Sequence, residues 1–206
     1  MTAFLVGVAG GSASGKTTFV KRLARSLAPT SVAIVAHDAY YHDLSHLPLA
    51  ERRAVNVDHP DSLETDLFVE ELERLVRGES IRPPDYDFAS QTRRPGGVLV
   101  SPAEVVVVEG LFVLSDTRIR ERLDFKVFVA TTETQRLDRR VERDSRERGK
   151  SAGVVRGEHD SRVEPMHRAH VEPSRSWADF VVEEGGWNDH ALGIAVSRIR
   201  LLVDRL

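Results

Sequence analysis

The sequence contains no cysteine. That absence removes disulfides, thiolate nucleophiles and cysteine-ligated zinc together, and it fits a reducing compartment. No apolar run approaches the roughly 18 residues that suggest a membrane span. Met1 to Ala9 lead straight into a strand-like stretch with neither a basic leader nor a small-residue cleavage site, so no signal peptide is read there. Excess positive charge is missing too: a net charge of −3 leaves no global field to attract polymeric nucleic acid or anionic lipid. The expected location is the cytoplasm, and the expected partner is a small molecule.

What is present points to one core. The 206 residues, 41% of them hydrophobic, suffice for a single domain spanning 1–206. Short β-branched runs at Phe4 to Ala9, Val32 to Ala36, Glu104 to Val108, Phe125 to Val129 and Phe180 to Val182 read as buried parallel strands. Helical patterns lie between or after them, over Lys16 to Leu27, Leu63 to Val76, Thr132 to Arg148 and Asp189 to Leu206. The alternation predicts an α/β layered fold with a parallel five-stranded sheet. Two segments break it. Residues 81–100 hold Pro83, Pro84, Pro95, Gly96 and Gly97 and read as a β-hairpin protruding from the main sheet. Residues 136–160 begin with Arg136, Arg139, Arg140, Arg143, Arg146 and Arg148 among acids, and Gly149 to Gly157 then read as a flexible loop. A charged helix leading into such a loop suggests a helical lid, with most of these arginines solvated and a few turned inward.

Gly10, Gly11, Ser12, Ala13, Ser14, Gly15, Lys16 and Thr17 match G-x-x-x-x-G-K-[ST] between a predicted strand and a predicted helix. Such a P-loop wraps phosphates with inward-facing backbone N–H groups at a helix N-terminus. Lys16 would bridge the β- and γ-phosphates, and the Thr17 hydroxyl would bind Mg²⁺. In a parallel sheet, ligands collect at the carboxyl ends of the strands. Asp38 and Glu109 end two strands there, and Asp58 follows in a loop. Phosphoryl transfer needs a carboxylate near the attacking oxygen and oxygen ligands for Mg²⁺; Asp38 fits the first role and Glu109 the second. His37, His42 and His46 lie close in sequence, but in a loop without a fixed face they do not read as a metal site.

These blocks, in order, resemble the uridine-cytidine kinases, within the group that contains phosphoribulokinase and bacterial pantothenate kinase. The resemblance is carried by Gly10 to Thr18, Asp38-Ala39-Tyr40-Tyr41, Asn56 to Asp61, Tyr86-Asp87-Phe88 with Arg93, Glu109-Gly110, Arg139 to Asp144 with Glu147-Arg148-Gly149, and Val171 to Ser174 followed by Ala178-Asp179. It implies a P-loop NTPase-type three-layer kinase that uses ATP or GTP with Mg²⁺ on a pyrimidine nucleoside. Asp38 would then be the base and a Mg²⁺ neighbour beside Thr17 and Glu109, and Thr18 would join the phosphate cradle. Asp58 would accept the ribose diol, Tyr41 and Tyr86 would frame the base, and Arg140, Arg143 and Arg148 would approach from the lid. It further implies a homo-oligomer, a tetramer in many members.

The chain departs from that pattern around the acceptor. Val57 replaces a usual aromatic residue, Gln91 a usual base-reading histidine, and Glu158-His159 a usual Gln-Tyr pair, while Lys150 stands where an arginine is common. Gln91 can both donate and accept toward a pyrimidine edge. A buried Glu158 would need a cationic partner such as a lid arginine. Two other readings stay open at this point. One is a kinase of another hydroxylated metabolite, such as a sugar phosphate, with Arg93 and Arg94 as the extra anion site. The other is a nucleotide switch, although no N-K-x-D guanine-reading motif occurs.

Overall fold

The computed structural model describes residues 3–205. Five strands form one parallel sheet: β1 (Phe4–Ala9), β2 (Val32–Ala36), β5 (Val105–Glu109), β6 (Phe125–Val129) and β7 (Phe180–Val182), in the order β2-β5-β1-β6-β7. β1 and β5 are buried along their whole length, as central strands covered on both faces must be. Period-2 alternation sends Phe4, Val6 and Val8 to one core, with Val105 and Val107. Leu5 and Ala9 go to the other core, with Val106 and Val108.

The first core is closed by α1 (Lys16–Ser26), through Phe19, Val20 and Leu23, and by α8 (Asp189–Val203), through Ala195 and Ile199. The second is closed by α3 (Thr65–Val76), whose Phe68, Leu72 and Leu75 share one face. Each such fully buried side chain contributes about 1.5–3 kcal/mol. The predicted strands and long helices are therefore present, four strands with the predicted bounds and the other ends moved by no more than three residues. For the last helix, predicted to Leu206, that residue lies outside the described range. Shorter helices α2 (Leu49–Ala54) and α4 (Thr117–Arg120) join these layers.

The hairpin also forms. β3 (Asp85–Asp87) and β4 (Thr92–Arg94) pair antiparallel outside the main sheet, and an Ile81–Val100 bridge closes the base. Arg93 ties it to the core: its guanidinium donates to the carbonyls of Tyr41 (2.9 Å) and Tyr40 (3.1 Å) and to Glu64 (3.0 Å).

After β6, α5 (Glu133–Arg148) starts at Thr132, whose hydroxyl accepts from the Gln135 N–H, and stops at left-handed Gly149 (φ 64°). The reading of Gly149 to Gly157 as a flexible loop is corrected here. Ser151 caps a second helix, α6 (Ala152–Glu158), and α7 (Glu164–Met166) lies in the helical run that follows to Trp177. Gly153 and Gly157 lower helix propensity, but buried Val155, His159 and Val163 anchor one face of the run and override it. Among the described residues no helix is long and apolar enough to cross a membrane.

Candidate active site

Strand register places the chemistry. Glu109 is level with Val8 of β1 and with Ala36 of β2, so the P-loop, Glu109 and the turn His37–Tyr40 that carries Asp38 leave the sheet at one edge. The Thr17 hydroxyl donates to Glu109 Oε1 (2.7 Å), and Lys16 Nζ folds back to the Gly11 carbonyl (3.0 Å). Asp38 Oδ1 is buried and has no hydrogen-bond partner.

Burial dominates the electrostatics here. It raises the carboxyl pKa values of Asp38 and Glu109 against the opposing field of Lys16, and it lowers the Lys16 ammonium against those two carboxylates. This edge is thus a desolvated cluster of two acids and a cation whose charged forms would gain from a bound cation and a bound polyphosphate. Thr17, Asp38 and Glu109 offer only hard oxygen atoms, a set that fits Mg²⁺.

One cavity of about 630 Å³ gathers these groups, a size within the usual range for small-molecule sites. It is lined by Ser12, Ala13, Gly15, Lys16, Thr17, Thr18, Asp38 and Glu109, and also by Tyr41, Asp58, Tyr86, Gln91, Arg140, Arg143, Arg148 and Glu158. Every candidate nucleoside-binding residue therefore faces the same space as the P-loop. Gly10, Gly11 and Ser14 belong to the P-loop backbone but do not line the cavity.

At the acceptor end the rings of Tyr41 and Tyr86 lie 5.1 Å apart, and Phe88 stands edge-on to both at 5.9 and 5.2 Å. Burial, helped by Asp43, pushes the Tyr86 phenol up to about 12, so it stays a neutral donor. Asp58 is raised by burial and restrained by Arg140, whose Nη1 is 3.9 Å from Oδ1. Gln91 occupies the hairpin turn at φ 55°, with Oε1 buried and unpartnered. Phe88 was not assigned a role from the sequence, although it belongs to the Tyr86-Asp87-Phe88 block. Nor was Trp187, whose position depends on a turn that no motif marks.

The arginine helix is the second correction. Of the six arginines only Arg146 is fully exposed; Arg136 and Arg140 are buried and the other three half-buried. The reason is buried carboxylates on and beside α5. Asp144, with no exposed surface, accepts from Arg143 Nε (2.8 Å) and lies 3.5 Å from the Nε atoms of Arg140 and Arg148. Glu164 accepts from Arg136 (2.9 Å). Arg140 also donates to the Ser12 hydroxyl (2.9 Å), and Arg148 packs over the Phe88 ring at 4.8 Å. Glu158 finds its partner in Lys150 (2.7 and 2.8 Å), not in a lid arginine.

A glycine-rich phosphate loop leading into a helix with one buried face, in a parallel sheet of this order, defines the P-loop kinase class. Residues 5–191 match the model of the phosphoribulokinase/uridine kinase family, and the chain belongs to that family. It is 42% identical over 195 residues to a uridine kinase of Brevibacillus brevis, covering 95% of this chain and 91% of the relative. It is 40% identical over 200 residues to a uridine kinase of Halalkalibacterium halodurans, covering 97% and 95%. Phosphoribulokinase from Rhodobacter spheroides shares the fold at a TM-score of 0.60 and 20% identity, covering 88% of this chain and 70% of that one.

Proposed function

We propose that this chain transfers the γ-phosphate of ATP, or of GTP, to the 5′-hydroxyl of uridine or cytidine, forming the monophosphate in pyrimidine salvage. The observation that carries this is the single cavity joining the P-loop and strand-end acids to Asp58 and the Tyr41-Tyr86-Phe88 ring cluster. Full-length likeness to two uridine kinases at about 40% identity supports the same acceptor.

In this reading the P-loop N–H groups and Lys16 hold the β- and γ-phosphates. Thr17, Asp38 and Glu109 would hold Mg²⁺, which when bound offsets phosphate charge and orients the γ-phosphoryl group. Asp38 accepts the proton of the 5′-hydroxyl as it attacks; its raised pKa makes it a better base than an exposed aspartate. Arg143 and Arg148, oriented by Asp144, face the charge on the migrating phosphoryl, and Arg140 spans Ser12 and Asp58. Asp58 accepts from the ribose 2′- and 3′-hydroxyls, and Tyr41, Tyr86 and Gln91 meet the pyrimidine. Glu158 pairs with Lys150 beside the acceptor. Residues 136–160 act as a lid that closes over bound substrates and excludes water. The enzyme would work in the cytoplasm as a homo-oligomer.

The sugar phosphate alternative loses its proposed anion site. Arg93 is spent on the Tyr40 and Tyr41 carbonyls and Glu64, Arg94 pairs with Asp87 (2.6 Å), and neither lines the cavity. A panel of nucleosides and sugar phosphates with Mg²⁺-ATP, followed for ADP and phosphorylated product, tests the proposal. Turnover of uridine or cytidine is the expected result. No nucleoside turnover alongside phosphorylation of another hydroxyl compound would refute it.

A further inference from the structure

The cavity lining joins the acceptor residues Tyr41, Asp58, Tyr86 and Glu158 to the P-loop and to Arg139 and Trp187. None of the phosphate or acceptor assignments uses Trp187. It is 73% exposed, although indole is a side chain that gains greatly from burial.

Trp187 is nevertheless not loose. The turn that carries it, after β7, lies directly on the P-loop backbone. Glu184 and Gly185 adopt left-handed φ values of 63° and 86°. A Cβ added at Gly185 would stand 2.8 Å from the Ser14 carbonyl oxygen, and one added at Gly15 2.7 Å from the Gly186 nitrogen. Only glycines allow backbone to pack on backbone this closely. Arg22 of α1 then fixes the turn: it donates to the Gly186 carbonyl (3.0 Å), pairs with Asp189 and lies over the indole at 5.2 Å. Asn188 next to it caps α8. A large flat ring is therefore held in water beside the phosphate loop, on the turn that packs against Ser14 and Gly15 and under Arg22 rather than in the Tyr41-Tyr86-Phe88 cluster.

We infer that Trp187, held by Arg22, is the platform for the heterocyclic base of the phosphate donor. The inference rests on the proposed kinase reading, since the P-loop fixes the triphosphate and the acceptor fills one side of it. The donor's base must then extend to the other side. A planar purine covers the exposed indole face and removes apolar surface of both rings from water. Arg22 adds a cationic edge beside the stack.

Isothermal titration calorimetry of the full chain with Mg²⁺-ATP and with Mg²⁺-tripolyphosphate separates base binding from phosphate binding. Trp187→Ala should weaken ATP about tenfold, the size of one base–aromatic stack, and leave tripolyphosphate within about twofold. Trp187→Phe should recover most of the loss. In a Trp177→Phe background Trp187 is the only tryptophan, and its fluorescence should change with ATP but not with tripolyphosphate. Equal weakening of both ligands, or no weakening of ATP, would overturn the assignment. These readouts use no acceptor, so failure of the nucleoside reading would leave them intact.

Discussion

Replacing Asp144 by Asn should damage transfer and stability together, because one carboxylate orients three guanidinium groups. Burial alone would push the Asp144 carboxyl up, but Arg143, Arg148 and Arg140 hold it below the usual carboxylate range. A depressed folded pKa contributes stability that is present above the unfolded value near pH 4 and lost as pH falls through the folded one. At pH 7 the full contribution is therefore at stake. Asn keeps the shape and one acceptor oxygen but removes the charge. It weakens a charge-assisted hydrogen bond worth about 1.5–3 kcal/mol and two longer ion pairs worth about 0.5 kcal/mol each when partly exposed. The net loss is about 2.5–4 kcal/mol. For a domain of this size that lowers Tm by about 5–15 °C. The three arginines, no longer neutralised, repel one another and leave their phosphate-facing geometry, and a displacement near 1 Å lowers kcat by about 100-fold. Differential scanning calorimetry and steady-state kinetics at 25 °C provide both readouts. A variant within about 1 °C of the parent Tm, below the shift expected for 0.5 kcal/mol, and with unchanged kcat would refute the hub.

Asp38→Asn should abolish transfer while calorimetry still detects ATP binding; near-parental turnover would remove Asp38 from its role as base. The same variant should melt higher than the parent at pH 7 without ligand. A carboxyl whose folded pKa is raised loses stability as pH rises from its unfolded value through the folded one, and Asn removes that loss. For the same reason kcat/KM of the acceptor should fall on the acid side with an inflection above the usual aspartate value of about 4; a flat profile down to that value would contradict the burial effect. Asp58→Ala should raise the KM of ribonucleosides by about 10- to 100-fold, the loss of charged hydrogen bonds to the diol. Deoxyribonucleosides should be affected less, and the reverse pattern would exclude diol binding. Phe88→Ala should raise acceptor KM about tenfold through lost aromatic contact, with KM for ATP unchanged.

The parts most legible in the sequence were those with a fixed local pattern. Alternating β-branched runs exposed the sheet, and the Gly10 to Thr17 spacing placed the phosphate cradle. A parallel sheet has only one carboxyl edge, so Asp38 and Glu109 could be read as neighbours of that cradle. What resisted reading depended on distant partners. Gly153 and Gly157 argue locally for a loop, and only burial of Val155, His159 and Val163 turns that segment into helix. Alternating arginines and acids on α5 look solvated until Asp144 and Glu164 are seen to be buried. Trp187 gains its setting from a turn whose neighbours, Ser14 and Gly15, are about 170 residues earlier in the chain.

The Lys150–Glu158 pair carries a consequence for how such a pocket can change. Both residues depart from the family pattern the sequence resembles, and each is about one-third exposed, with its charge answered by the other. A glutamate arriving first would stand beside Asp58, whose carboxyl it already pushes upward. A lysine arriving first would only take over the charge of the arginine common at its position. Because Lys150 keeps the charge of an arginine common at that position while Glu158 replaces a neutral residue, the two positions are coupled unequally: Glu158 moved into a relative adds one negative charge to the acceptor wall, and Lys150 moved with it supplies the compact ammonium that pairs with both carboxylate oxygens.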